Sequence, residues 1–206
     1  ELMKSKSEKI LLKVSPMLDI SQSWSEIPDI HEVTVVSVKN EVKELLLNWK
    51  RNAPQKRNIR VMDLGSEVQE FSFTLEEEAN AESVNSEAEK YLIEPLSGIL
   101  KAGAFKCFGQ RFGFKKLDKN SHLYTSYIVN PSIPGRVFEI LREIPPKKQE
   151  IKALFPQGKV NVICRNFSTG AEDFKKKFGL KDGGEDYLIG TKTPSGFKIF
   201  WCKRIK

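Results

Sequence analysis

Val33-Thr34-Val35-Val36-Ser37-Val38, followed by Asn40-Glu41-Val42-Lys43-Glu44-Leu45-Leu46-Leu47-Asn48-Trp49-Lys50-Arg51, is the stretch on which the fold turns. The first piece is β-branched almost throughout and reads as a strand. The second places Val42, Leu45, Leu46 and Trp49 at i, i+3, i+4 and i+7, one apolar helical face, and predicts a helix from Asn40 to about Arg51. Upstream, Lys9-Ile10-Leu11-Leu12-Lys13-Val14 reads as a nearly continuous apolar strand of the kind buried on both faces in a parallel sheet. Ser15-Pro16 ends it. A short helix fits 17–27, broken by Pro28-Asp29. Strand, helix, strand, helix is the pattern of α/β layering. Downstream, Ile59–Leu64 is a third strand, and Gln69–Leu75 alternates with Phe71, Phe73 and Leu75 on one face, which predicts a hairpin around Gly65-Ser66.

Residues 76–90 hold six glutamates and almost no large apolar side chain, so they cannot drive a core, and a domain boundary is placed there. Beyond it the spacing predicts helices over 96–102 and 104–113, a strand over 123–129 and a turn at Pro131–Pro134. Next come a strand over 136–144, a basic helix over 147–155 and a strand over 160–164. Ser168 is the expected N-cap of a helix over 169–178, with Glu172 near its first turn and Lys175-Lys176-Lys177 in its last, an order that suits the helix dipole. Residues 187–192 and 197–203 predict a closing hairpin. From 136 onward the order is that of a small α+β sandwich with one sheet face under helices.

The 206 residues are enough for one large domain or two small ones. Hydrophobic residues at 39% and charged residues at 30% give a globular balance and exclude a disordered or membrane-embedded chain. The opening Glu1-Leu2-Met3-Lys4 has no signal-peptide character and no initiator Met, so a piece of a longer protein is expected. Cys107, Cys164 and Cys202 are odd in number and far apart, and only His31 and His122 join them as soft ligands. No disulfide framework or metal site is expected, and a reducing, cytoplasmic compartment is. The net charge of +7 is uneven: residues 1–90 carry 12 Lys+Arg against 17 Asp+Glu, and residues 91–206 carry 22 against 10. A net of −5 beside a net of +12 points to a second half that meets a polyanion, with a solvated lysine-rich surface as the plain alternative.

No G-x-G-x-x-G, P-loop or G-x-S-x-G occurs, and no catalytic or metal-binding residue is nominated. Gly183-Gly184 reads as a turn, and His122 as a lone histidine near Asp118. What remains is basic and aromatic. Phe105, Phe108 and Phe112 at i, i+3 and i+7 are expected to be mostly core, with the basic positions between them pointing outward. The candidate contacts to a phosphate backbone are Lys101, Lys106, Arg111, Lys115, Lys116, His122, Tyr124, Arg165, Lys175, Lys176 and Lys181. RNA fits better than DNA because no recognition helix is visible.

Several segments carry a resemblance: Leu11-Leu12-Lys13-Val14-Ser15-Pro16-Met17-Leu18-Asp19-Ile20, Val36–Leu46, Lys101-Ala102-Gly103-Ala104-Phe105-Lys106, Asn120–Ser126, Gly135-Arg136-Val137-Phe138, Arg165-Asn166-Phe167 and Leu180-Lys181-Asp182-Gly183-Gly184. Together they resemble the C-terminal half of a family of bacterial class I S-adenosylmethionine-dependent methyltransferases that carry a ferredoxin-like segment and a THUMP-like domain after a Rossmann domain. The resemblance implies that residues 1–80 are the C-terminal strands of a Rossmann-like α/β sheet, 90–130 the ferredoxin-like segment and 134–206 the THUMP-like domain. It implies RNA, tRNA or rRNA, as partner beside an N-terminal methyltransferase half. S-adenosylmethionine would be the cofactor of the full-length protein, with its site incomplete in this chain. Ser15, Pro16 and Asp19 would follow a strand at the carboxyl edge, where ligands bind in such sheets, and could line the substrate side or only end a strand and start a helix. No membrane or metal partner is implied. A non-enzymatic protein-interaction module and a methyltransferase acting on a non-RNA acceptor remain alternatives.

Overall fold

Lys39 and Asn40 have φ of 51° and 64°. Positive φ at two successive residues is what a two-residue type I′ hairpin turn requires, and asparagine adopts it at low cost. The chain therefore reverses at Lys39-Asn40 rather than entering a helix. The structure is a computed structural model that describes residues 2–54 and 56–206. Its elements run α1 (Leu2–Lys6), β1 (Lys9–Val14), α2 (Ile20–Glu26), β2 (Glu32–Val38), β3 (Glu41–Lys50), β4 (Asn58–Leu64), β5 (Val68–Thr74) and α3 (Leu75–Asn80). They continue with β6 (Tyr91–Pro95), α4 (Ser97–Ala102), α5 (Cys107–Phe112), β7 (Lys115–Lys116), β8 (Tyr124–Ser126) and β9 (Gly135–Glu143). The last are α6 (Lys148–Leu154), β10 (Asn161–Arg165), α7 (Ala171–Phe178), β11 (Asp186–Thr193) and β12 (Gly196–Arg204). The architecture is mixed α/β, with two sheets in two compact units. One unit takes Glu1–Glu82 and Leu96–Phe108, the other Ser83–Pro95 and Gly109–Lys206.

The first unit holds a five-stranded sheet in the order β1-β3-β2-β4-β5. β3 is antiparallel to both β1 (Leu12 opposite Leu47) and β2 (Val35 opposite Leu45). β2 and β4 form its parallel pair, and β4–β5 is the hairpin expected from the sequence. The helix predicted over 40–51 is thus a strand, and the strands at 9–14 and 33–38 are not neighbours. The run Leu45-Leu46-Leu47 fits either period; alternation wins, with Leu45 and Leu47 buried and Leu46 only partly so. Val33, Val35, Leu45, Leu47, Ile59, Val61, Phe71 and Phe73 are buried in this unit. α4 packs against β2, β3 and β4. The hairpin turn fixes its start: Ser97 N–H donates to Asn40 Oδ1 (2.6 Å), Ser97 Oγ–H to Asn40 O (2.6 Å), and Asn40 N–H to buried Asp63 (2.8 Å). Glu78 accepts the backbone N–H groups of Lys106 (2.9 Å) and Cys107 (2.9 Å), satisfying orphan donors where α5 begins.

The second unit holds a seven-stranded sheet, β10-β11-β12-β9-β6-β8-β7. β11 and β12 form the closing hairpin, β10 pairs with β11 in parallel, and β9 runs antiparallel to both β12 and β6. Ile151 of α6, Phe155 at its C-terminal end, and Phe174 and Phe178 of α7 join a core with Ile144, Val160, Leu180, Leu188 and Ile199. A second cluster joins Leu92, Phe138, Ile189, Phe200 and Cys202 to Leu117 and Leu123. α7 begins after Gly170 with no side-chain cap, so Ser168 is not its N-cap; Glu172 and Lys175–Lys177 do occupy its first and last turns.

Gly98 sits where α4 meets the sheet. A Cβ there would lie 2.6 Å from Val61 Cγ1 and 3.2 Å from Ser37 Oγ, with Val35 behind. Gly98→Ala is expected to destabilise the protein by about 1–3 kcal/mol through overpacking, despite alanine's better helix propensity. Urea denaturation checks this: the midpoint falls with the m-value unchanged.

Candidate nucleic-acid interface

Glu94 lies in β6 with its carboxylate 3% exposed, in the middle of the second unit's sheet. A carboxylate so buried must be paired. Arg136, directly opposite in β9, donates from Nε to Oε2 at 2.7 Å and from Nη2 to the same oxygen. Arg165, at the end of β10, donates from Nε (2.8 Å) and Nη2 (2.7 Å) to Oε1. Arg165 keeps 45% of its side chain exposed, so one face of its guanidinium remains available to an anion.

The segment from Leu117 to Leu123 is pinned by those two buried leucines and closed by Leu117 N–H donating to Leu123 O (3.1 Å). Between them, Asp118 accepts Asn120 N–H (3.0 Å) and Asn166 Nδ2–H (2.9 Å), with Lys192 Nζ at 3.5 Å. These donors and the Lys192 charge, led by the Asn120 amide, hold the Asp118 carboxyl below its ordinary value. Buried Ser121 donates to Lys192 O (3.0 Å) and accepts from Thr191 (3.2 Å). His122 has φ 49° and Asn166 φ 50°. Burial first, then the charges of Lys116 and Arg165, push His122 below the ordinary histidine value, so the ring is neutral at neutral pH.

The residues nominated from sequence therefore divide. His122, Lys116 and Arg165 share one neighbourhood of the second unit. Lys116 does not point outward: it is 4% exposed, and its Nζ donates to Lys119 O at 2.6 Å. Tyr124 is fully buried, opposite Lys116 on β8. A Cβ on Gly109 would lie 3.0 Å from the Tyr124 ring, so α5 lies directly over it. Lys115 Nζ holds Glu89 at 2.6 Å, and Lys175 Nζ holds Asp182 and Glu172 at 2.6 Å each; the carboxylates raise both lysines' pKa. Lys101 and Lys106 belong to the first unit, where Lys106 Nζ donates to Ala79 O (2.9 Å). Arg111, Lys176 and Lys181 are exposed in the second.

Lys181 is bridged to Lys159 in a parallel pair, through Lys181 N–H to Gly158 O (2.7 Å) and Val160 N–H to Lys181 O (3.0 Å). Directly paired residues present their side chains on the same face, about 5 Å apart. Two exposed lysines rooted side by side on one face can both offer charge to a phosphate. Lys159 escaped the sequence reading because its partner lies 22 positions away; its one local signal is the turn at Gly158, with φ 66°. Burial pushes the Cys164 thiol up to about 11 and the Cys202 thiol higher still, and Cys107 is buried. Among the described residues no group of three or more His, Cys, Asp and Glu side chains could hold a metal ion, and no helix is long and apolar enough to cross a membrane.

Ser15 and Asp19 have local roles. Asp19 is the N-cap of α2, accepting Ser21 N–H (2.7 Å) and Gln22 N–H (3.1 Å), and Ser15 Oγ accepts Met17 N–H (3.2 Å). Pro16 sits in the turn between β1 and α2.

Two family models match the chain, one described as a ferredoxin-like domain over residues 91–134 and one as THUMP domain-like over 135–204. Among solved structures, the chain is similar to the crystal structure of a "putative methyltransferase from Porphyromonas gingivalis W83", at 34% identity and a TM-score of 0.88. The match covers 97% of this chain and 52% of that one, so the chain spans about half that protein's length. No curated protein matches.

Glu94→Gln leaves two arginines around a neutral amide. Both guanidinium groups can partly rehydrate, so the expected loss is about 2–3 kcal/mol, below the 3–5 kcal/mol of a fully enclosed pair; urea midpoints of the two proteins check it. His122 gives a pH dependence. Its folded pKa lies below the unfolded value near 6.5, so the unfolded chain binds more protons in that window and stability rises with pH. The contribution is intact above about pH 6.5 and is lost as pH falls from there through the folded pKa. His122→Asn, which tolerates positive φ, is expected to flatten the stability profile between pH 7 and pH 5, read from denaturation at several pH values.

Proposed function

We propose that this chain is the RNA-binding, C-terminal portion of an S-adenosylmethionine-dependent methyltransferase. It would hold a tRNA or rRNA substrate while an N-terminal half carries out methyl transfer. The observation that carries the reading is the similarity to the P. gingivalis protein along nearly the whole chain, joined to the THUMP-like match over 135–204. THUMP domains in general are associated with RNA. The first unit, with its central parallel pair β2–β4, would extend a Rossmann-like sheet.

The residues present do not fit S-adenosylmethionine. Asp19 is spent on capping α2, Ser15 on its own turn, and no glycine-rich loop follows β1. No step of methyl transfer is assigned to this chain. Its own part is electrostatic: Lys159 and Lys181, the exposed face of Arg165, and Lys176 offer positive charge to a phosphodiester backbone without reading sequence.

Filter binding with tRNA and rRNA fragments tests this. Affinity is expected at low salt and falls linearly in log–log form as salt rises. The double variant Lys159→Glu/Lys181→Glu is expected to bind roughly tenfold more weakly, with the salt slope reduced by about two, because both side chains are exposed and lie outside the core. Absence of low-salt affinity for either RNA sinks the reading. Competition by heparin but not by folded RNA would favour an acidic protein partner.

A further inference from the structure

The second unit has a groove of about 410 Å³ that the phosphate contacts do not use. It is lined by Phe112, Phe114, Tyr127, Ile128, Lys115 and Glu89. Phe112 and Phe114 stack, with ring centroids 5.6 Å apart and planes 18° from parallel. Tyr127 and Ile128 are 69% and 80% exposed. The backbone of this turn is fixed: Ser126 Oγ–H donates to Ile128 O (2.7 Å), and Ile128 N–H donates to Ser126 Oγ (3.1 Å). An exposed aromatic and an exposed aliphatic side chain side by side at the groove give it an apolar rim. Beside them, Lys115 Nζ donates to one oxygen of Glu89. Glu89's side chain is only 9% exposed. Its second oxygen accepts no hydrogen bond among the described residues.

The volume falls at the low end of small-molecule sites, about 300–1,000 Å³. A protein docking surface would bury about 800 Å² per partner, far more than this groove supplies. An exposed aromatic ring and a carboxylate acceptor at one edge suit a planar, polar-edged ring. We propose that this groove takes one unpaired nucleobase of a single-stranded RNA, with the ring packed on Tyr127 beside Phe112 and its amino group donating to Glu89. A base with an exocyclic amine enters ahead of uracil, which presents carbonyl oxygens on either side of its single N–H. The inference rests on the RNA-binding reading above and adds a base-specific element to it.

The test uses the full chain and labelled RNA heptamers of adenosine, cytidine or uridine, with a heptamer of abasic ribose phosphate. Fluorescence anisotropy is expected to rank adenosine and cytidine above uridine, and all three above the abasic strand by roughly tenfold, as expected for loss of one stacked base. Tyr127→Ala, at an exposed position that leaves folding intact, is expected to weaken the base-bearing strands by a similar factor, leave the abasic strand unchanged and keep the salt slope. Phe112→Leu gives a second reading with the same expected pattern. Equal affinity for the abasic and base-bearing strands, equal affinity for uridine and cytidine, or no effect of Tyr127→Ala overturns the base site while leaving the phosphate contacts standing. Self-association that Tyr127→Ala abolishes, with RNA affinity unchanged, assigns the patch to a second copy and overturns it as well. If no RNA binds the wild-type chain at low salt, both readings fall together.

Discussion

A carboxylate taken out of water must be answered by positive charge, and in the second unit the answer comes from two strands on the far side of a family-model boundary. Glu94 lies in the ferredoxin-like match, Arg136 and Arg165 in the THUMP-like one. β6 and β9 pair directly across the same boundary, from Tyr91 opposite Glu139 to Pro95 opposite Gly135. The two matched segments therefore share one sheet. A cut between residues 134 and 135 would strip β9 of its neighbour β6 and leave either a buried anion without cations or two arginines without an anion, each a large cost. That constraint also places Arg165 with one face spent and the other open.

The +7 charge of the chain is a poor guide to where an anion lands, because pairing removes many of the lysines from consideration. Lys115 and Lys175 lie in the basic runs that sequence inspection favours, yet both hold carboxylates at 2.6 Å. Exposed ion pairs of this sort contribute little to stability, but they cancel the local field. Lys159 and Lys181 gain importance for the opposite reason: the bridge roots two exposed lysines side by side on one face.

Where local chemistry and the wider fold agreed, the sequence was legible. The β4–β5 hairpin follows from strict alternation at Phe71 and Phe73, the β11–β12 hairpin from the Thr193–Gly196 turn, and the charge order of α7 from the helix dipole. The failure at 41–50 has a definite cause. Leu45-Leu46-Leu47 is compatible with both periods, and the deciding signal was not hydrophobic at all but the capacity of Asn40 to take positive φ. For the site, residue type could nominate Arg165 and His122, which do lie together. It could not show that Lys116 turns inward to the Lys119 carbonyl, or that Tyr124 fills the space beneath Gly109, because both depend on contacts made only once the sheet has formed. The Lys159–Lys181 pairing and the Phe112–Tyr127 groove are likewise products of long-range register.

His122 and Asn166 both stand in the left-handed region, at φ 49° and 50°, in the segments that carry the polar network around Asp118 and Ser121. Histidine and asparagine are among the side chains that accept this conformation best, so the cost is modest, but it must still be held by its surroundings. The holding groups are specific: the Asn166 amide reaches Asp118 at 2.9 Å, Ser121 donates to the Lys192 carbonyl, and Leu117 and Leu123 bury both ends of the loop. A loop tied down by this many bonds loses little further freedom when a ligand arrives, which lowers the entropic cost of association. Phosphate contacts position a nucleic acid and base contacts specify it. The rigid, charged edge around Arg165 suits the first task, and the turn that carries exposed Tyr127 and Ile128 suits the second. Both lie in one folded unit, so a strand that met both would have to match the distance between them.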